Sequence, residues 1–167
     1  MKVDETNPDD MLAYRCALRM LEDDYAVKAA SISVNEVGAG FCKMSMFVTA
    51  DMANHGGMCH GGHVYLLADA AFGYACNSHN QNAVSQFGSI QYLAPGPIGE
   101  TIYATAIERS IVGRSAVCDV TVTTQDGSVI AEFRGHSRQI PGKLLNDNEG
   151  QGAGGEGPAL GIDNRRE

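Results

Sequence analysis

The chain has 167 residues, of which 44% are hydrophobic and 19% charged, a composition that suits one soluble globular domain with a modest core. Its net charge of -8 argues against nucleic-acid or anionic-membrane partners, while a few local cations or a helix N-terminus still allow a phosphorylated small ligand. Five widely spaced cysteines (Cys16, Cys42, Cys59, Cys76 and Cys118), no CxxC pair and an N-terminal segment too polar for a signal peptide point to free thiols in a reducing, cytoplasmic compartment. No apolar run approaches the length of a membrane span.

Asn7, Pro8, Asp9 and Asp10 read as the capped start of a helix. Met11, Tyr14, Leu18, Leu21 and Tyr25 follow at helical spacing, so a helix is expected over residues 8–28. Ile32 and Val34 alternate with polar residues, Gly38-Ala39-Gly40 signals a turn, and Cys42, Met44, Met46 and Val48 share one face of a second strand. Residues 51–62 form a glycine-rich loop. A helix apolar on nearly all sides follows, with Val64, Leu67, Ala68, Ala71 and Ala75 on one face and Tyr65, Phe72 and Cys76 on another, which is the pattern of a buried helix. Four strands come next, over about 84–93, 101–109, 116–123 and 129–140, with Asp126-Gly127 as a hairpin turn between the last two.

The expected organisation is therefore one α+β domain over residues 1–145 and a Gly-rich disordered tail over 146–167. An antiparallel β-sheet wrapped around a long central helix is the hotdog arrangement.

Asp69 is the one charge between His63 and His79, in the middle of the helix that reads as buried. A buried carboxylate without partners costs several kcal/mol, so it is paired, protonated or functional, unless one stripe of the helix touches solvent. Cys59-His60-Gly61-Gly62 directly precedes this helix. Its glycines permit close approach of a ligand, and the first free N–H groups of the helix can polarise a carbonyl. Gly61 and Asp69 are eight residues apart, or roughly 12 Å along one helix, too far to act on one carbonyl carbon. Two antiparallel copies would bring Gly61 of one chain to Asp69 of the other, so a joint role demands at least a dimer.

Other templates fit less well. His55, Cys59, His60 and His63 are metal-ligand types, but their spacing matches no common zinc pattern, and no metal or other cofactor is expected. There is no GxSxG elbow and no P-loop. Adjacent Cys59 and His60 rarely point the right way for a thiol nucleophile.

The run from Asn54 to Asn77, NHGGMCHGGHVYLLADAAFGYACN, resembles the PaaI-type hotdog thioesterases of phenylacetate degradation. Tyr92-Leu93-Ala94-Pro95-Gly96 and Phe133-Arg134-Gly135-His136-Ser137 resemble later segments of that family. The resemblance implies an acyl-CoA thioesterase acting on aryl- or phenylacetyl-CoA type esters, with hydroxyphenylacetyl-CoA as the typical substrate. It implies that Asp69 is the catalytic carboxylate, as nucleophile or general base. Gly61 would supply the N–H that polarises the thioester carbonyl, and His60 would support it. Asn54 would place the hydrolytic water or the leaving thiolate. It also implies a homodimer at minimum, with homotetramers frequent, and Asp69 set across the dimer interface from the other three. Gly62, Tyr65, Phe72, Arg134 and His136 are the substrate-binding candidates. Ala70 stands where relatives often carry a hydroxyl residue, so water-orienting help from that position is lost or comes from elsewhere. Ala94 stands where they often carry a basic residue, so contacts to the CoA phosphates are not readable. A non-catalytic CoA-ligand-binding hotdog protein and a hotdog enoyl-CoA hydratase or dehydratase are the alternatives from other classes.

Overall fold

The computed structural model describes residues 1–146. The tail expected to be disordered lies, but for its first residue, outside the described residues. The elements run α1 (Pro8–Asp23), α2 (Tyr25–Ala29), β1 (Ser33–Gly38), β2 (Phe41–Phe47), α3 (Gly61–Cys76), β3 (Ala83–Tyr92), β4 (Thr101–Val112), β5 (Ser115–Thr123) and β6 (Val129–Gln139), with a short 3-10 turn at Ala50–Met52. The six strands form one antiparallel sheet in the order β1-β2-β4-β5-β6-β3. α3 packs on the inner face of this sheet and touches β2 through β6. This is the hotdog arrangement expected from the sequence.

The first helix is two helices, not one over residues 8–28. Asp24 accepts the Val27 N–H at 3.0 Å and caps α2, so its carboxylate competes with the helical ladder and ends α1. The buried face of α1 also differs from the expected stripe. Ala13, Cys16 and Ala17 are buried, whereas Leu18 and Tyr25 are exposed. Small side chains let α1 lie close against β1, Tyr14, Met20 and Leu21 pack partly buried against the core, and Leu18 turns outward.

The second strand matches its pattern: Cys42, Met44, Met46 and Val48 are all buried. They meet Leu67, Ala68, Ala71 and Ala75 of α3 in one continuous core with Ile102, Ala104, Val120, Val122 and Phe133. α3 has one stripe that its own sheet does not cover. Gly62 is exposed, and Tyr65, Leu66, Asp69, Ala70 and Gly73 are only half-buried. These positions recur at helical spacing and so lie on one side of α3. β3, beside α3, is the edge strand at one end of the sheet, and Val84, Phe87, Tyr92 and the following Leu93 are exposed there.

Candidate active site

α3 begins with a tightly held turn. His60 is its N-cap, and its Nδ1 accepts the Gly62 N–H at 3.0 Å. The Tyr92 hydroxyl donates to the Gly61 carbonyl oxygen at 2.9 Å. His60 O accepts from His63 N at 2.9 Å. Among the described residues the Gly61 N–H finds no acceptor. Orphan donors are expected in the first turn of any helix; here the neighbouring groups are satisfied and one N–H remains. A side chain at Gly61 would meet the Tyr92 ring, since a Cβ there would stand 3.0 Å from Cζ.

Gly61 lines a cleft of about 420 Å³ together with Asn54, Cys59, Val64, Tyr92 and Ile130 among others. Asn54 lines the same cleft. Its Oδ1 accepts from Gly56 N at 2.8 Å and Met58 N at 3.3 Å, which fixes its amide orientation and leaves Nδ2 as a donor. The Cys59 thiol is buried and pushed up in pKa by that burial, so it stays protonated and is a poor nucleophile.

Asp69 does not line this cleft. It lies two turns further along α3, half-buried on the uncovered stripe, so the solvent-touching stripe weighed from the sequence exists in the single chain. Burial still pushes its carboxyl pKa above the ordinary value, and no residue among those described donates a hydrogen bond to it. Tyr65 lies between the two, its ring edge-on to Phe133 at 5.4 Å. A Cβ at Gly88 would stand 2.6 Å from its hydroxyl, so Tyr65 bridges α3 to β3.

The remaining candidates fall elsewhere. Phe72 packs in the core of the single chain: it is 1% exposed and fills the space over Gly135, where a Cβ would come within 2.6 Å of its ring. Arg134 and His136 point away from α3, because Phe133 and Gly135 between them face it. Arg134 forms a two-point ion pair with Asp119 at 2.6 and 2.9 Å, and His136 packs edge-on against Phe87. Neither lines the cleft within one chain. Among the described residues no group of three or more His, Cys, Asp or Glu side chains is placed to hold a metal. Tyr92 and Ile130 line the cleft but were not readable as site residues; the only sequence signal was the run Tyr92 to Gly96.

Residues 56–131 match the model of the Thioesterase superfamily. The chain is 38% identical over 135 residues to the acyl-coenzyme A thioesterase PaaI of Escherichia coli (strain K12), covering 81% of this chain and 96% of that protein. The chain belongs to the thioesterase superfamily. The solved structure of the E. coli PaaI protein from the phenylacetic acid degradation operon superposes with a TM-score of 0.78 at 39% identity, over 80% of this chain and 96% of that one. A Streptococcus mutans protein solved bound to acetyl CoA superposes with a TM-score of 0.64 at 27% identity, over 67% of this chain and 90% of that one. As a superfamily member the chain is a hydrolase acting on thioester bonds.

Proposed function

We propose that the protein hydrolyses acyl-CoA thioesters, with hydroxyphenylacetyl-CoA or a related aryl ester as its substrate, and that it works as a two-fold dimer or a pair of such dimers. The observation that carries this reading is that Gly61, whose N–H has no acceptor among the described residues, lines a cleft that also carries Asn54. Kinship with the E. coli acyl-CoA thioesterase and the acetyl CoA bound by the S. mutans protein support a CoA ester as the ligand.

The cleft alone lacks a base. A second copy supplies one if the two α3 helices run antiparallel across a two-fold axis. Such an interface is self-complementary, so setting Gly61 against Asp69 of the other copy sets Asp69 against its Gly61. Residue 65 lies midway between 61 and 69, so the axis crosses α3 near Tyr65 and two equivalent sites form. The half-buried stripe of Tyr65, Leu66, Ala70 and Gly73 and the exposed edge of β3 are the surfaces such a copy would cover.

In this reading the thioester oxygen accepts the Gly61 N–H, which stabilises the negative charge that develops as the carbonyl is attacked. Asp69 of the other copy takes a proton from water as the water oxygen bonds to the carbonyl carbon. The C–S bond then breaks, CoA leaves as thiolate and is reprotonated, and the free acid departs. The raised pKa of Asp69 favours a base over direct attack, because a desolvated carboxylate binds a proton more readily. Residues 1–145 act as one catalytic domain in this account.

The test is thiol release from phenylacetyl-CoA, its hydroxylated forms, benzoyl-CoA and hexanoyl-CoA. Wild type hydrolyses the aryl esters, and Asp69→Asn loses about a hundredfold or more in kcat. A wild type that binds CoA and hydrolyses none of them is a ligand-binding protein instead.

A further inference from the structure

The peptide unit that follows the Gly61 N–H is gripped at both ends. Its N–H, on Gly62, is bound by His60 Nδ1 at 3.0 Å. Its carbonyl, on Gly61, is bound by the Tyr92 hydroxyl at 2.9 Å. His60 belongs to the helix start itself, whereas Tyr92 comes from the last position of β3, 31 residues away in sequence. The chain around Tyr92 is well anchored. Tyr92 pairs with Ala131 of β6, and the next two N–H groups, of Leu93 and Ala94, both bond to Ile130 O at 2.9 and 3.2 Å. Its ring also lies on Gly61 closely enough to crowd any side chain there, 3.0 Å from a Cβ, and Tyr92 lines the cleft.

We infer that Tyr92 is a positioning residue: its hydroxyl fixes the first turn of α3 so that the Gly61 N–H aims into the cleft, and its ring sets the width of the cleft at that point. The inference rests on the thioesterase reading. A peptide held by one hydrogen bond can still pivot about it; held by two, it is preorganised, and a preorganised donor stabilises developing charge without reorganising during the reaction. The ground-state ester needs that donor less than the transition state does, so losing the hydroxyl lowers kcat more than it raises KM. A merely structural tyrosine would show the reverse emphasis, with lost thermal stability and no selective loss of kcat.

The experiment compares wild type, Tyr92→Phe and Tyr92→Leu for kcat, KM and Tm on the fastest ester among phenylacetyl-CoA, 4-hydroxyphenylacetyl-CoA, benzoyl-CoA and hexanoyl-CoA. Tyr92→Phe keeps the ring and is expected to lose about tenfold in kcat, the effect of one well-placed hydrogen bond, with KM and Tm near wild type. Tyr92→Leu removes the ring as well and is expected to raise KM in addition. Full kcat in Tyr92→Phe beside an active wild type overturns this inference and leaves the thioesterase reading standing. So does a loss of kcat in Tyr92→Phe that only tracks a loss of Tm. A wild type inactive on every ester overturns both.

Discussion

Gly61 and Asp69 lie on the same helix, α3, one at its first position beside an open cleft and the other two turns along, on the stripe that the chain's own sheet leaves uncovered. Within one chain they are separated by roughly 12 Å of helix. That distance turns a pair of candidate groups into a statement about assembly, and it makes Asp69 a residue with two opposed duties. Alone it is a half-desolvated carboxylate without a donor among the described residues; beside a second copy, in the proposed dimer, it would be the base of a neighbouring cleft.

The first consequence concerns pH. Burial raises the Asp69 pKa in the folded protein, and only the ionised form accepts a proton from water. Activity should therefore fall as pH drops through a value above that of a free carboxylate. A kcat/KM profile whose acid limb lies at or below the ordinary carboxylate range would count against Asp69 as the base.

The same shift has a cost in stability. A carboxyl whose folded pKa exceeds its unfolded pKa stabilises the fold below the unfolded value, and that contribution is lost as pH rises through the folded value. At neutral pH the charge is thus a burden that Asp69→Asn removes. The variant should melt a few degrees higher than wild type at pH 7, with the gap narrowing in acid, even as it loses activity in the proposed mechanism. Equal or lower Tm at pH 7 would contradict the burial argument.

At the far end of α3 the sign is the same but the cause differs. His79 Nε2 lies 2.7 Å from Glu108 Oε2, and this hydrogen bond is the main cause that raises the histidine's pKa, against the opposing effect of burial. A histidine with a raised folded pKa gives stability fully present below its unfolded value, near 6.5, and lost as pH rises through the folded one. Wild type should lose a few degrees of Tm as pH rises from 6 to 8, and Glu108→Gln should flatten that slope. An unchanged slope in Glu108→Gln would place the pH dependence elsewhere.

Phe72 tests the line between core and pocket. With its ring seated on Gly135 and against Phe133, Phe72→Ala should cost about 3–5 kcal/mol of stability, the usual penalty for emptying a core site. The milder Phe72→Leu should fold and keep the wild-type ratio of kcat/KM between phenylacetyl-CoA and hexanoyl-CoA. A change in that ratio would return Phe72 to the acyl pocket.

Much of this was legible from the chain itself, because periodicity and special residues carry physical information. The alternation of Cys42, Met44, Met46 and Val48 gave a buried strand face, and the all-round apolar pattern of residues 64–76 gave the central helix. The odd charge at Asp69 and the glycines before the helix marked the places where packing alone does not explain the residue. Other features depend on contacts between distant segments. Strand order could not be read, since β3 pairs with β6 rather than with its sequence neighbour β4. The break at Asp24 turns on one side-chain hydrogen bond to Val27. Tyr92 looks like any strand aromatic until the fold sets its hydroxyl on the Gly61 carbonyl. Phe72 could be core or pocket from its spacing alone, and its packing over Gly135 is again a contact between distant segments.

The central claim is that each site is built from two chains, and subunit complementation tests it most directly. Asp69→Asn and Gly61→Val, the latter crowding the Tyr92 ring with a Cβ 3.0 Å from its Cζ, are co-expressed with different affinity tags, and the doubly tagged heterodimer is assayed for thiol release from the preferred ester. Each variant alone should be inactive. The heterodimer pairs an intact Gly61 from one chain with an intact Asp69 from the other in one of its two sites, so the account predicts that activity returns. A heterodimer that forms and stays inactive would contradict it.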